Sequence, residues 1–389
     1  MKQYDMAVIG GGPAGSMAAL TAARCGLGVL MVERDPVIGS PVRCAEGVDE
    51  KGLLQFFKPD PKWIAADIIA YYLVAPDGSQ VKMNIGNDRG YILERTIFDR
   101  MIAEEAAVSG ASVMTGIDAV SLSDFRHGFR TVTLRNDAHE WDISARVVVA
   151  ADGVESRVAR WAGLKTDALP EDMETCAQVT LAGINIDHHA FYMYFTGEFA
   201  PRGYAWLFPK GPYTANVGLG IAGNSRKEKS PAHYLAAFLK YHFPDASIVS
   251  RTIGGVACTG GIKKTTADGL MVCGDAAHMA NPLTGGGIIN AMISGQCAGE
   301  TAEEVLKKGP ALDSNLNIYQ KRCEGRFGKM NRRFYRIKEG ILHIPDRRFN
   351  EIAHELLELP VEKRTPVRVL TSALFKNPGL IKDLAKIVF

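Results

Sequence analysis

Residues 6–33 read MAVIGGGPAGSMAALTAARCGLGVLMVE, and this stretch decides the fold. An apolar run, Ala7-Val8-Ile9, leads into Gly10-x-Gly12-x-x-Gly15. A helix of small residues follows from Ser16 to about Arg24, and a second apolar run, Val29-Leu30-Met31-Val32, ends at Glu33. Strand, glycine turn, helix, strand and acid stand in the order a dinucleotide site requires. Gly10 permits the tight turn, and Gly12 lets backbone amides approach a diphosphate. Gly15, with Ala19 one turn on, lets helix and strand pack closely. The free N–H groups of the helix N-terminus face the diphosphate. Glu33 ends its strand where a carboxylate accepts hydrogen bonds from a ribose, and its neighbour Arg34 joins the cofactor-binding candidates. Taken alone, the turn serves NAD and FAD equally.

The chain has 389 residues, 47% of them hydrophobic, enough for two domains or one elaborated domain with a large core. A net charge of +2 argues against bulk nucleic-acid binding. Seven cysteines, an odd number without a CxxC pair, suit neither a disulfide framework nor a zinc site, so no metal is expected and a reducing cytosol is the natural compartment. The chain enters its first strand within five residues of Met1, and no secretory leader is expected. No apolar run approaches the ~18–20 residues of a membrane span. The expectation is a cytoplasmic protein, soluble or peripheral at the membrane surface.

Beyond the opening unit, 36–57 reads as loop and short helix, and 67–75 and 80–85 read as strands about the turn Pro76-Asp77-Gly78. An amphipathic helix is expected over 95–110, closed by Gly110, and a strand of the parallel sheet over 111–115. Segments 117–124, 129–136 and 139–144 read as an antiparallel meander, and 146–151 as a separate buried strand. From about 175 to 260 the pattern is β-rich, interrupted by a helix at 231–243. A short strand at 270–273 precedes a long helix from near Gly286 to about Lys308, and 311–389 reads as mostly helical. The expected fold is α/β (α+β overall), a Rossmann-like domain with an inserted antiparallel sheet. Its domains would be 1–165 with 265–310 for the cofactor, 166–264 with 66–94 for the substrate, and a helical region 311–389.

Two further motifs bear on the cofactor. In Val272-Cys273-Gly274-Asp275 a strand delivers a carboxylate able to accept hydrogen bonds from a ribityl chain. Asn281-Pro282-Leu283-Thr284-Gly285-Gly286-Gly287-Ile288 then forms a glycine-rich helix start, which favours the negative charge that a reduced flavin carries near N1. Together they assign the site to FAD. Ala151-Asp152-Gly153, with Arg157 four residues later, is the third motif. By contrast, Gly218-Leu219-Gly220-Ile221-Ala222-Gly223 matches GxGxxG but precedes a polar segment, and reads as a glycine-rich strand. His188 and His189, adjacent on a supposed strand, would point apart at the surface.

These motifs resemble the FAD-containing group of aromatic hydroxylases and geranylgeranyl reductases, over about residues 1–310. The segments GSPVRCAEG (39–47), GYILER (90–95) with Phe98-Asp99, PRGYAWLFP (201–209) and NPLTGGGI (281–288) are most similar to the geranylgeranyl reductases, in particular the archaeal digeranylgeranylglycerophospholipid reductases. The resemblance implies FAD contacts at Ala14, Gly15, Glu33, Cys44, Ala45, Gly47, Arg95, Ala119, Asp275, Gly287 and Ile288. It implies reduction of C=C bonds in geranylgeranyl chains of a prenyl glycerophospholipid, by hydride from the flavin and a proton from solvent or a nearby acid. Cys44 is either an apolar filler presenting its amide or a thiol that assists protonation or gates access, the one candidate catalytic residue. Arg95 at a helix start suggests an anionic partner, against a plain solvated arginine. Tyr204, Trp206 and Phe208 alternate with aliphatic residues, as in a strand lining a lipid tunnel.

The rival readings are a flavin monooxygenase of the aromatic-hydroxylase type, an electron-transfer flavoprotein delivering electrons to quinone, and a non-enzymatic flavin-binding module. With one dinucleotide unit, the electron donor is ferredoxin, another reduced carrier, or NAD(P)H docking transiently. Segment 321–348, where Lys and Arg interleave with Phe, Tyr and Ile, is either a surface for anionic lipid headgroups or a solvated helix with an apolar face. Segment 377–389 would shield a tunnel mouth or pack on the core.

Overall fold

Apolar runs become buried strands throughout the computed structural model, which describes residues 1–225, 229–342 and 344–374. In chain order the elements begin β1 (Lys2–Ile9), α1 (Pro13–Arg24), β2 (Val29–Glu33), β3 (Gly47–Asp49), α2 (Glu50–Leu53), β4 (Ile64–Ile68), β5 (Ala70–Val74), β6 (Gln80–Met83), β7 (Gly90–Leu93) and α3 (Arg95–Val108). They continue with β8 (Ser112–Thr115), β9 (Asp118–Leu122), β10 (Arg130–Arg135), β11 (Glu140–Ala150), α4 (Arg157–Trp161), β12 (Met173–Ala182), β13 (Ala190–Tyr194), β14 (Tyr204–Gly211), β15 (Thr214–Ala222) and α5 (Pro231–His242). The last are β16 (Ser247–Ala257), β17 (Thr266–Ala267), β18 (Leu270–Val272), α6 (Ile288–Lys308), α7 (Asp313–Cys323), α8 (Lys329–Ile341), α9 (Asp346–Leu357) and α10 (Pro366–Leu374).

One compact unit comprises Met1–Pro41, Arg95–Ala168 and Thr259–Arg332. Its sheet runs β17-β18-β11-β1-β2-β8, and β10 and β9 extend from β11. Strands β8, β2, β1, β11 and β18 are parallel, which places both expected cofactor loops at the carboxyl ends of parallel strands. Segments 139–144 and 146–151 are one strand. Its start pairs antiparallel with β10 and its end parallel with β1. Arg146 is tolerated within this strand because Asp5 (3.0 Å) and the Leu306 carbonyl (2.9 Å) accept its guanidinium. Helix α6 lies directly on α1. A Cβ on Gly295 would stand 2.1 Å from the Ala14 carbonyl oxygen, and one on Gly299 2.7 Å from Thr21 Cβ.

The other unit comprises Val42–Glu94, Leu169–Cys258 and the described chain from 333. Its main sheet runs β16-β12-β15-β14-β13-β5-β6, antiparallel except for the β13–β5 pair. Segment 67–75 is not one strand: it breaks at exposed Ile69, so that β4 joins a small sheet with β7 and β3 while β5 joins the large one. The amides of Ile69 and Ala70 both donate to the His189 carbonyl at the break. Within 36–57 the chain forms strand β3 as well as the short helix. The described helices after 310 do not form a unit of their own: 311–332 belongs to the first and the described chain from 333 to the second. Residues 377–389, read as a shield or packing element, lie outside the described residues.

The two faces of the large sheet differ, as strand alternation dictates. Ala177, Val179 and Leu181 of β12, Ala205 and Leu207 of β14, and Val217 and Leu219 of β15 pack on Tyr234, Leu235 and Phe238 of α5. The opposite face takes the alternate residues, Glu174, Cys176 and Gln178 on β12, Gly218 and Gly220 on β15, and Tyr204, Trp206 and Phe208 on β14.

Candidate functional site

The glycine turn divides its labour residue by residue. Gly10 has φ +108°, and a Cβ there would stand 2.2 Å from the Ala151 carbonyl oxygen, so only glycine fits between β1 and β11. On Gly15 a Cβ would overlap the Gly10 oxygen at 1.9 Å, which is the close helix–strand packing expected of it. Gly12 is different: nothing lies within 4 Å of its Cβ position, and it caps α1 without a side-chain hydrogen bond. Among the described residues no protein group accepts from the amides of Gly12, Ala14 or Gly15. Those orphan donors at a helix N-terminus are an anion cradle. Glu33 is locked beside it, Oε2 accepting from Gly11 N (2.6 Å) and Oε1 from Asp35 N (2.9 Å). Arg34 sits outside this cradle, half exposed and 3.5 Å from Glu155.

A second cradle forms where α6 begins. Gly287 caps the helix, and no protein group accepts from the amides of Gly287, Ile288 or Ile289 among the described residues. Asp275 lies against it, its Oδ1 3.2 Å from the Cβ position of Gly287. Its carboxylate accepts no hydrogen bond among the described residues; burial pushes its pKa up, and Arg95 pulls it partly back. Arg95 is no solvated arginine. Its anionic partner is on its own helix, Asp99, which it grips through Nε and Nη2 at 2.6 Å each. Ala119 is buried, and its carbonyl accepts from Arg157 (3.1 Å), which also pairs with Asp118 (2.5 Å). Asp152 accepts from Val158 N (3.0 Å) through Oδ2 while its buried Oδ1 has no partner among the described residues, and burial raises its pKa. Ser156, left-handed at φ 48°, donates to the Ala276 carbonyl (2.8 Å) and so ties the Asp152 turn to the Asp275 turn.

Open glycine, orphan amides at two helix starts and an unpartnered carboxylate suit a molecule that is anionic at its diphosphate and rich in hydroxyls between. The donor set of this unit fits FAD.

Cys44, Ala45 and Gly47 belong to the other unit. Cys44 Sγ accepts from Glu46 N (3.2 Å), and its carbonyl accepts from Gln178 Nε2 (2.9 Å). Gln178 in turn accepts from Trp206 Nε1 (3.0 Å), so the indole, the amide and the Cys44 backbone form one chain. Ala45 is partly exposed. Gly47 is glycine because a Cβ would stand 2.9 Å from the Phe208 ring. Tyr204, Trp206 and Phe208 share the sheet face turned away from α5, Tyr204 edge-on to Trp206 at 5.8 Å. Trp206 lies across Gly218, where a Cβ would come within 2.6 Å of its ring. Gly218 therefore makes room for an aromatic ring, and Thr214–Ala222 is the strand expected of it.

Sequence reasoning passed over several residues here. Glu46, at φ 75°, is buried and bound by Lys210 Nζ (2.7 Å) and Asn216 Nδ2 (2.6 Å). Glu174 and Cys176 join the aromatic face only through strand register. The spacing of Gly295 and Gly299, four apart on a helix, was the one available signal for the α1–α6 contact. His188 and His189 do not point apart; they precede β13, and their rings meet at 4.1 Å. Among the described residues no cluster of His, Cys, Asp or Glu is suited to a metal ion, and no helix is long and apolar enough to cross a membrane.

Comparison with known proteins accords with this geometry. The model for the geranylgeranyl reductase catalytic domain matches 172–256, the span of β12 to β16, and that for FAD-dependent oxidoreductases matches 5–205. Digeranylgeranylglycerophospholipid reductase 2 of Methanococcoides burtonii is 42% identical over 98% of this chain and 95% of its own. The digeranylgeranylglycerophospholipid reductase of Methanosphaerula palustris is 43% identical over 98% and 97%. A crystal structure of a geranylgeranyl bacteriochlorophyll reductase-like protein from Thermoplasma acidophilum superimposes with a TM-score of 0.91 at 32% identity, covering both chains completely. The chain belongs to the geranylgeranyl reductase family of FAD-dependent oxidoreductases.

Proposed function

We propose that this protein reduces C=C double bonds in the geranylgeranyl chains of an archaeal-type prenyl glycerophospholipid. The observation that carries the reading is the near-full-length similarity to digeranylgeranylglycerophospholipid reductases. The glycine-floored aromatic face on β12, β15 and β14 supports it, because a flat, apolar, methyl-branched chain needs rings and glycine backbone rather than bulky aliphatic side chains to lie against.

In this reading Gly10, Gly12, Ala14 and Gly15 hold the diphosphate of FAD, and Glu33 takes the ribose. Asp275 takes the ribityl hydroxyls, and the amides of Gly287 and Ile288 face the charge of the reduced ring. When bound, the cofactor supplies the hydride equivalent that the alkene requires. Tyr204, Trp206 and Phe208 orient the prenyl chain and exclude water. Cys44 serves as a fixed wall residue, its thiol engaged by the Glu46 amide and its carbonyl by Gln178. The electron donor is a reduced carrier, ferredoxin or NAD(P)H, that docks transiently, in keeping with the single dinucleotide turn. A peripheral contact with the membrane surface would give access to the lipid. The basic segment 321–348 offers only part of its charge for it, since Arg322 is paired with Glu304, Arg332 with Glu324 and Lys338 with Asp172.

Mass spectrometry of prenyl lipids incubated with the dithionite-reduced holoprotein tests the reading. Mass gains in steps of two hydrogens are expected. Unchanged lipid, with NADPH-driven oxygen consumption instead, would transfer the protein to the hydroxylase type.

A further inference from the structure

Reduction of an isolated alkene needs a proton as well as a hydride, and the face of the large sheet turned away from α5 carries one carboxyl group suited to hold it. Glu174 stands two residues before Cys176 on β12, and Cys176 lies opposite Gly220 of β15, which in turn lies opposite Tyr204 of β14. Around the Cβ position of Gly220, Cys176 Sγ lies at 3.2 Å, Glu174 Oε2 at 3.8 Å and Trp206 Cζ3 at 3.9 Å. Three side chains from two strands thus converge over one glycine. Glu174 Oε2 is buried and has no hydrogen-bond partner among the described residues. A buried carboxylate oxygen without a donor is costly, whereas a neutral carboxyl tolerates that environment.

The charged surroundings leave the acid neutral. Lys338 of α8 and Arg202, which precedes β14, favour the carboxylate; Asp172, just before β12, opposes it. Lys338 is already committed to Asp172 (2.6 Å) and the Cys258 carbonyl (2.8 Å). Cys176 and Tyr204, the other titratable neighbours, are held uncharged by burial. Burial dominates, and the Glu174 carboxyl is pushed up to about 7.

We propose that Glu174 is the catalytic acid that protonates the prenyl alkene over Gly220, next to Trp206. This rests on the proposed reductase function. The Glu174 O–H bond breaks as a C–H bond forms at one alkene carbon, and the second carbon takes a hydride equivalent from the reduced flavin. The alkene gains two hydrogens and two electrons, the flavin is oxidised, and the Glu174 carboxylate regains its proton from water.

The test uses the FAD-loaded protein and its Glu174→Gln variant, which keeps the side-chain size and loses the transferable proton. Turnover on prenyl lipid should fall at least roughly 100-fold, the lower bound for general acid catalysis, with flavin content unchanged. Wild-type turnover should decline as pH rises through about 7, and the variant should lose that decline. Independently of turnover, infrared difference spectra should contain a protonated-carboxyl band that titrates near that pH and vanishes in Glu174→Gln. Should the Gln variant not fold, Glu174→Asp replaces it: slower turnover with a displaced alkaline decline is expected, and a wild-type profile overturns the role. Hydrogen gain at the wild-type rate in Glu174→Gln, or a carboxyl band that survives in it, overturns the proton donor alone. No hydrogen gain with the wild type overturns the reductase reading, and the proton donor falls with it.

Discussion

Glu174 illustrates what a single residue contributes beyond its identity. An ordinary glutamate ionises well below neutrality, yet here burial outweighs two nearby cations and raises the carboxyl to about 7. The folded state therefore binds the proton more tightly than the unfolded chain does. Stability from this group is fully present below the unfolded value of 4.5 and is lost as pH rises through about 7. At pH 8 the ionised group costs up to about 3 kcal/mol. Glu174→Gln should then be more stable than wild type at pH 8 by up to that amount and nearly equal at pH 4, in denaturant titrations of both proteins. Gln178 is the complementary case: it joins the Trp206 indole to the Cys44 carbonyl, so Gln178→Ala orphans a buried donor and an acceptor. A loss of about 1–3 kcal/mol is expected by the same titration. None of this is visible in the local sequence. Glu174 looks like a strand residue in a polar patch, and only pairing with residues some 45 positions on buries it. Arg95 was more accessible to reasoning, because its partner Asp99 stands one helical turn away.

At the scale of elements, the legible parts are those where backbone geometry leaves no choice of residue. Gly10 and Gly15 are forced by contacts of about 2 Å between β1, α1 and β11, so the turn could be read from the chain alone. Where a side chain could be satisfied in more than one way, sequence reasoning failed. It divided β11 between 144 and 146, where the acceptors on Asp5 and Leu306 hold Arg146 within one strand, and it joined β4 to β5 across Ile69. It also singled out the start of α6 and passed over its body, where Gly295 and Gly299 set the distance to α1. Since α1 and α6 each present an orphan helix N-terminus, their packing fixes two anion cradles at once. Gly295→Leu should wedge them apart and cost about 1–3 kcal/mol or more, with loss of bound flavin measured by absorbance after gel filtration. Gly287→Leu acts on one cradle only. Its side chain would displace Asp275, and bound flavin should be lost with little change in thermal stability of the flavin-free protein.

At the scale of the whole molecule, the two orphan helix starts lie in one unit and the aromatic sheet face in the other. Each unit is assembled from three separated stretches, which is why linear boundaries were a poor guide. From Arg333 onward α8 belongs to the second unit, and its attachment there is ionic rather than apolar at one point. Lys338, only 5% exposed, donates to Asp172 and to the Cys258 carbonyl, while Tyr335 donates to the same carboxylate (3.1 Å). Asp172 and Cys258 also share a backbone bond, so one ammonium pins α8 to both ends of the span that carries the aromatic face. Removing one partner of such a buried pair leaves a charge uncompensated, a loss of roughly 3–5 kcal/mol. Lys338→Met should show that loss in urea unfolding. Its effect on the acid is separate and opposite in origin: the ammonium favours the charged form of Glu174, so its removal pushes that carboxyl higher still. The alkaline decline in turnover, and the titration of the carboxyl band, should both move to higher pH in the folded Lys338→Met protein. A shift to lower pH would mean that the ammonium does not favour the Glu174 carboxylate, and would overturn the charge assignment around this acid.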